Sequence, residues 1–306
     1  MTNTATTPAA ATPAAKPRRK ATHFDANPAK AGWLTKLVLA LICLLWMIPI
    51  LGTFITSFRS LDAVNSSGWW TVFRHPTTMD LTLHNYHEAL FGNAHMGRAF
   101  VNSIAIALPA TFIPILIAAF AAYAFTFMEF PGRDVLFLTI VSMLVVPNYV
   151  AFIPILKLYR NFGLNGTFPA VWLAHIGFGM SLAIYILRNY MATLPKTVIE
   201  SAKIDGASHY QTFFRLVLPM SVPALASFAI FQFLWVWNDL LVALVFIGPG
   251  ENEPLTVSLT HLKTTLGQGW EVTTAGGFLI MVVPIIVFLA LQRFFIRGLT
   301  AGAVKG

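Results

Sequence analysis

Six stretches of this 306-residue chain run for more than 20 residues without Asp, Glu, Lys or Arg: 37–58, 99–128, 135–156, 161–187, 216–238 and 272–292. An α-helix rises about 1.5 Å per residue, so about 20 apolar residues cross a hydrocarbon core roughly 30 Å thick. Lipid cannot satisfy free backbone N–H and C=O groups, so spanning segments must be helices or closed barrels. The apolar runs are too long, and too little alternating, for barrel strands of about ten residues. The pattern therefore predicts an all-α polytopic membrane protein with six transmembrane helices. Composition agrees. Charged residues make up 10% of the chain and apolar residues 57%, where a soluble domain carries about 25% charge. A soluble monomer could not hide that much apolar surface, and a disordered chain would not carry it. Pro49, Pro114 and Pro284 fall inside the runs, which membrane helices tolerate.

Basic residues set the expected orientation. With the N-terminus inside, 14 of the 20 Lys and Arg residues fall on the cytoplasmic side and six outside. The positive-inside rule then places both termini in the cytoplasm. The same rule accounts for the basic pI near 9.8 without invoking nucleic acid. Residues 1–33, rich in Ala, Thr and Pro around Lys16-Pro-Arg-Arg-Lys20, read as a disordered cytoplasmic tail. The first apolar stretch is too long for a signal-peptide core, and no small-residue cleavage site follows it, so it reads as an anchor.

Catalytic signatures are missing. No G-x-x-x-x-G-K-[ST] phosphate loop, G-x-S-x-G elbow or H-E-x-x-H pair occurs, and the lone Cys43 excludes a disulfide framework. His84, His87 and Glu88, with His95 beyond, have helical spacing for a metal, but outside any known motif they read as a solvated polar patch. Neither catalytic nor metal-binding residues are expected.

The loop between the fourth and fifth runs, residues 189–220, is the most informative stretch. Pro195 suits the first turn of a helix, Gly206 a left-handed stop after Asp205, and Ser208 with Gln211 a capping box. Tyr210, Phe213, Phe214 and Val217 then follow at i, i+3, i+4 and i+7 as one apolar face, closed by Pro219. Two short amphipathic helices joined at a glycine corner must cover something. They could pack on the chain's own helix ends or the lipid surface, or plug a partner's groove. Physics alone leaves the two even.

Glu200-Ser201-Ala202, then Gly206 three residues on, then Leu216-Val-Leu218-Pro219 after nine more, resembles the E-A-A-x(3)-G-x(9)-I-x-L-P signature of permease subunits of binding-protein-dependent ABC importers. Ser201 stands where Ala is usual and Leu216 where Ile is usual. Asn85-Tyr86, Asn102-Ser103, Phe130-Pro-Gly132, Trp237-Asn238-Asp239 and the tail Arg297–Gly306 are similar to the carbohydrate, maltose-type (MalG-like) subfamily. The likeness runs from about residue 34 to the end. It implies a permease domain over 34–296, with the 189–220 loop as cytoplasmic coupling helices and 297–306 as a cytoplasmic tail. Glu200, Ser201, Ala202, Asp205, Gly206, Leu218 and Pro219 would then couple to a dimer of ATPase subunits, with Glu200 pairing a basic group there. The implied partners are a second homologous permease and an extracytoplasmic sugar-binding protein. The location is the bacterial inner membrane, within lipid. The chain itself needs no cofactor, because ATP is bound by the partner subunit. The resemblance also favours contact between the C-terminal tail and the ATPase pair, since Gly-Leu-Thr-Ala-Gly-Ala cannot form a stable helix of its own.

Asp239 interrupts an otherwise apolar stretch. A charged group there is either part of a solute path or a structural hydrogen-bonding group, perched about 25 Å along the fifth helix if that helix enters at Val222. Trp235, Trp237 and Asn238 offer stacking faces and amide donors to a sugar, so Trp237, Asn238 and Asp239 are the candidate path residues. A non-sugar ABC permease is the near alternative. An ion-coupled secondary transporter is the distant one, because repeated halves and several buried ionisable groups are not seen.

Overall fold

The computed structural model describes residues 32–74, 80–262 and 269–303, with side chains placed to residue 292. The expected N-terminal tail, apart from its last two residues, and the last three residues of the chain lie outside the described residues. Among the described residues the chain is helical, with a single isolated β-bridge between Arg59 and Leu81. It divides into two compact units, Met1–Pro49 and Ile50–Gly306. In the first, the helix beginning at Trp33 exposes every described residue, including Leu37, Leu41, Leu44, Leu45 and Trp46. Such a surface suits lipid and not water.

Four helices are long and apolar enough to cross a membrane: Trp33–Thr56, Met96–Phe127, Phe168–Met191 and Trp270–Gln292. Two further crossings exist only if each of two bent pairs counts as one span. The third uncharged run, expected as one spanning helix, is such a pair. Arg133–Val145 and Asn148–Asn161 meet at 96°. The cause is local. Pro147 lacks an N–H and pushes the preceding Val146 into extended backbone, at φ −75° and ψ 120°. The other pair, His209–Met220 and Val222–Asn238, bends by 70°. Pro219 has no N–H to return to Arg215, and the turn before it, Phe213–Val217, widens into a π-helix. The second helix of that pair begins at Val222.

In lipid, helices associate by close packing and interhelical hydrogen bonds, and small residues allow that approach. The Met96–Phe127 helix buries Ala99, Ala107, Ala110, Ala118, Ala119 and Ala122, while Phe168–Met191 buries Ala170, Ala174 and Ala183. The buried apolar residues form two clusters along this pair. One is gathered around Phe152, Phe246 and Trp237, the other around Tyr123, Leu187, Met191 and Phe213. Between them sits Gln232, whose Nε2 donates to the Ala110 carbonyl at 3.1 Å and the His175 carbonyl at 3.4 Å. Gly179 makes room for it, because a Cβ there would stand 2.7 Å from Gln232 Oε1. Outward, each long helix presents large apolar side chains such as Phe112, Leu116, Leu173, Ile285 and Leu289.

The Trp270–Ala303 helix continues into the C-terminal segment as far as Ala303. Weak propensity there is overridden because the segment extends an existing helix and needs no nucleation of its own.

Candidate functional site

The 189–220 loop folds as two short helices around a corner. Pro195 precedes Lys196–Ile204 with φ −60°, and Asp205 caps it. Gly206 follows at φ +79°, in the left-handed region. The Ala207 N–H donates to the Ala202 carbonyl at 2.9 Å and the Gly206 N–H to the Lys203 carbonyl at 3.1 Å. These two bonds form a Schellman closure, which satisfies the last carbonyls of the helix. Ser208 then opens the next helix with a reciprocal box. Its Oγ accepts the Gln211 N–H at 3.3 Å, and Gln211 Oε1 accepts the Ser208 N–H at 2.9 Å.

The expected apolar face divides in two. Phe213 and Val217 are buried against the chain's own bundle, with Phe213 stacked on Phe120 at 4.6 Å between ring centroids. Tyr123 Oη lies 2.9 Å from His209 Nδ1 and ties the same helix end to the loop. Tyr210 turns outward, 71% exposed, and Ile204 before the corner is 87% exposed. The loop thus covers its own helix ends with one side and leaves an apolar and polar outer surface. Glu200, Ser201, Asp205, Gly206 and Pro219 are exposed on the loop, while Ala202 and Leu218 are half-buried. Ser201 Oγ donates to the Thr197 carbonyl at 2.8 Å, so the hydroxyl is spent within its own helix. Glu200 shares a helical face with Lys196, Ile199 and Lys203. That face borders a cleft of about 330 Å³ together with Phe125, Phe127, Arg133 and Arg188.

The three candidate residues of the 235–239 segment have different surroundings. Trp237 is buried, its ring packed between Phe100 and Phe233, and its Nε1 donates to the Ile280 carbonyl at 3.0 Å. Asn238 is exposed, and its Nδ2 donates back to the Leu234 carbonyl at 2.7 Å. Asp239 ends the Val222–Asn238 helix, and its carboxylate accepts the Val242 N–H at 2.9 Å, capping the Leu241–Phe246 helix. Its carbonyl also accepts from Thr256 Oγ1 at 2.7 Å. The structural hydrogen bond considered for Asp239 is therefore present, to backbone and not to Asn238. Trp235 is the ring that opens outward. It lines a cavity of about 530 Å³ beside the helix break, with Val146, Pro147, Asn148, Gly177 and Ser181.

The other quoted pairs also hold elements together. Asn85 Nδ2 donates to the Ser57 and Arg59 carbonyls, and Tyr86 Oη meets Ser57 Oγ at 2.8 Å. Asn102 Nδ2 donates to the Glu251 and Glu253 carbonyls, and Ser103 Oγ accepts the Leu255 N–H. His84 and His87 lie on the His84–Phe91 helix, and among the described residues no three His, Cys, Asp or Glu side chains gather to hold a metal. Sequence reasoning missed Gln232 and the break at Pro147. An amide inside the uncharged run 216–238 and a proline near the middle of the run 135–156 were the available signals.

Residues 114–301 match the family model described as binding-protein-dependent transport system inner membrane component. The chain is 53% identical over 266 residues to the osmoprotective compounds uptake permease protein GgtD of Synechocystis, covering 86% of this chain and 89% of that one. It is 54% identical over 247 residues to the alpha-glucoside transport system permease protein AglG of Rhizobium meliloti, covering 79% of this chain and 65% of that one. Among solved structures it resembles a chain of a bacterial ABC transporter involved in the import of the acidic polysaccharide alginate. The TM-score is 0.70 at 21% identity, over 86% of this chain and 95% of that one.

Proposed function

The chain belongs to the family of binding-protein-dependent transport system inner membrane components, and on that premise we propose that the solute it carries is a sugar or oligosaccharide. It is a membrane-spanning permease of an ABC importer. A soluble extracytoplasmic protein delivers the solute, a second homologous permease completes the path, and an ATPase dimer docks on the 189–220 loop from the cytoplasm. The observation that carries the docking half is the divided face of that loop. Phe213 and Val217 anchor it to the bundle, while Ile204 and Tyr210 remain exposed beside Glu200 and Gly206. Burying two large apolar residues in a partner's groove favours association by roughly 1.5–3 kcal/mol each. A rigid anchor and a capped corner would transmit a partner's displacement to the helix ends as one body. The continued C-terminal helix would reach the same partner.

For the solute, Trp235 offers its ring to the cavity beside the Pro147 break, with Asn148 and Ser181 as polar neighbours. Trp237, Asn238 and Asp239 hold that ring's segment in place. Discontinuous helices lining a cavity are a recurrent way to build a solute path. The relative that transports alpha-glucosides supports sugar. The relative named for osmoprotective compounds is compatible with sugar and non-sugar osmoprotectants alike, and a non-sugar osmoprotectant is the second reading. Proteoliposomes holding the complete transporter and its binding protein separate the two. Labelled maltose, trehalose or sucrose should accumulate only with internal ATP. Accumulation of glycine betaine with none of the three sugars would overturn the sugar assignment and leave the permease assignment standing.

A further inference from the structure

We propose that the cleft beneath the loop elbow binds the headgroup phosphate of an anionic phospholipid. Four cationic residues line it, Arg133, Arg188, Lys196 and Lys203, against one carboxylate, Glu200. Arg188 is held in place by the Phe137 ring, with its guanidinium carbon 4.7 Å from the ring centroid. Its Nε–H is buried and meets no acceptor among the described residues. A buried donor in a native structure requires a partner, and a guanidinium fork matches a phosphate. Arg133 spends its Nε on Asp134 at 3.0 Å and its Nη1 on the Met128 carbonyl at 3.3 Å, so it frames the cleft and leaves Nη2 for a ligand. Lys196 and Lys203 have no carboxylate within 4 Å among the described residues.

The position selects lipid over a soluble anion. Three uncharged runs end at this cleft: 99–128 beside Phe127, 135–156 beside Arg133 and 161–187 at Arg188. That alignment marks the hydrocarbon boundary, where phospholipid phosphates lie. Phe125, Phe127 and Ile199 complete the wall, offering apolar contact to the glycerol and upper acyl chain, which a free anion lacks. Basic pockets between spanning helices on the cytoplasmic side are suited to anionic headgroups.

The test uses the assembled transporter purified into nanodiscs of phosphatidylcholine with a minor fraction of phosphatidylglycerol, with retained lipid read by native mass spectrometry. Wild type should retain phosphatidylglycerol in preference to phosphatidylcholine. Arg188→Gln and Lys203→Gln should each lower that retention about fivefold, while Arg160→Gln, outside the cleft, should not. Lys203 is exposed, so Lys203→Gln remains informative if Arg188→Gln fails to fold. Equal retention in Lys203→Gln and Arg160→Gln would overturn the proposal. So would displacement of the lipid by millimolar inorganic phosphate, which would assign the cleft to a soluble anion. Loss of ATPase association by Lys203→Gln with unchanged lipid retention would assign it to the protein partner instead.

Discussion

Gly206 carries the corner through its backbone alone. At φ +79° a β-branched residue is strained by about 1–2 kcal/mol, yet a Cβ built there meets nothing within 4 Å. Strain and crowding are therefore separable at this position. Gly206→Val should abolish ATP-driven uptake while leaving membrane insertion intact. Gly206→Asn, which tolerates the left-handed region, should restore at least half of wild-type uptake. Uptake by the valine variant equal to that of the wild type would show that the corner need not be rigid. Asp239 offers the complementary test. Its carboxylate caps the Leu241–Phe246 helix through the Val242 N–H. Asp239→Asn keeps an acceptor and should retain both stability and uptake, whereas Asp239→Ala should cost about 1 kcal/mol in thermal unfolding of the purified complex. An asparagine variant that is stable but inactive would return the charge to a role in the path.

Local signals around Gly206 were legible in sequence because caps and glycine stops depend on near neighbours, whereas the partner of Asp239, the Val242 N–H, was not foreseen. Gly206, Ser208 and Gln211 fall where their spacing places them. The third spanning segment was less legible. Charge counting sees 135–156 as continuous and cannot register that Pro147 turns the backbone by 96°. The same holds for Trp237. Its type suggests a stacking face, but its neighbours Phe100 and Phe233 come from tertiary packing. Periodicity likewise grouped Tyr210 with Phe213, although the π turn and the bundle surface separate them. The helices Phe168–Met191 and Val222–Asn238 supply a prediction about packing. Gly179 faces Gln232, the amide that bridges Ala110 and His175. Gly179→Leu should force these helices apart, at about 1–3 kcal/mol, and lower the melting temperature of the complex. A compensating Gln232→Ala in the same chain should recover part of that loss. If the double variant is no more stable than the single, the crowding lies elsewhere.

Energy for transport must enter from somewhere, and the distribution of charge limits where. The six apolar runs hold no Asp, Glu, Lys or Arg, and Asp239 is engaged in capping a helix. Ion-coupled carriers need ionisable or ion-coordinating groups within the membrane that change partners during the cycle. Within the spanning helices the buried ionisable side chains among the described residues include His175 and Glu271, while the exposed polar and apolar surface offered to a partner sits on the loop elbow, with Ile204 and Tyr210 exposed. Uptake by the assembled transporter should therefore cease when the ATPase subunits are inactivated and persist when the proton and sodium gradients are collapsed. The same preparation can fix the side of the elbow. Cys43 is exposed and must be replaced by serine first. A cysteine at Asp205 in that background should then react with a membrane-impermeant maleimide only when the cytoplasmic face is open to the reagent. Docked ATPase should slow that reaction, because the partner would cover the same surface. Labelling from the outside of sealed cells would invert the orientation. Because a motor on the cytoplasmic side could not then grip the loop, that result would remove the coupling role from Glu200 and Gly206 together.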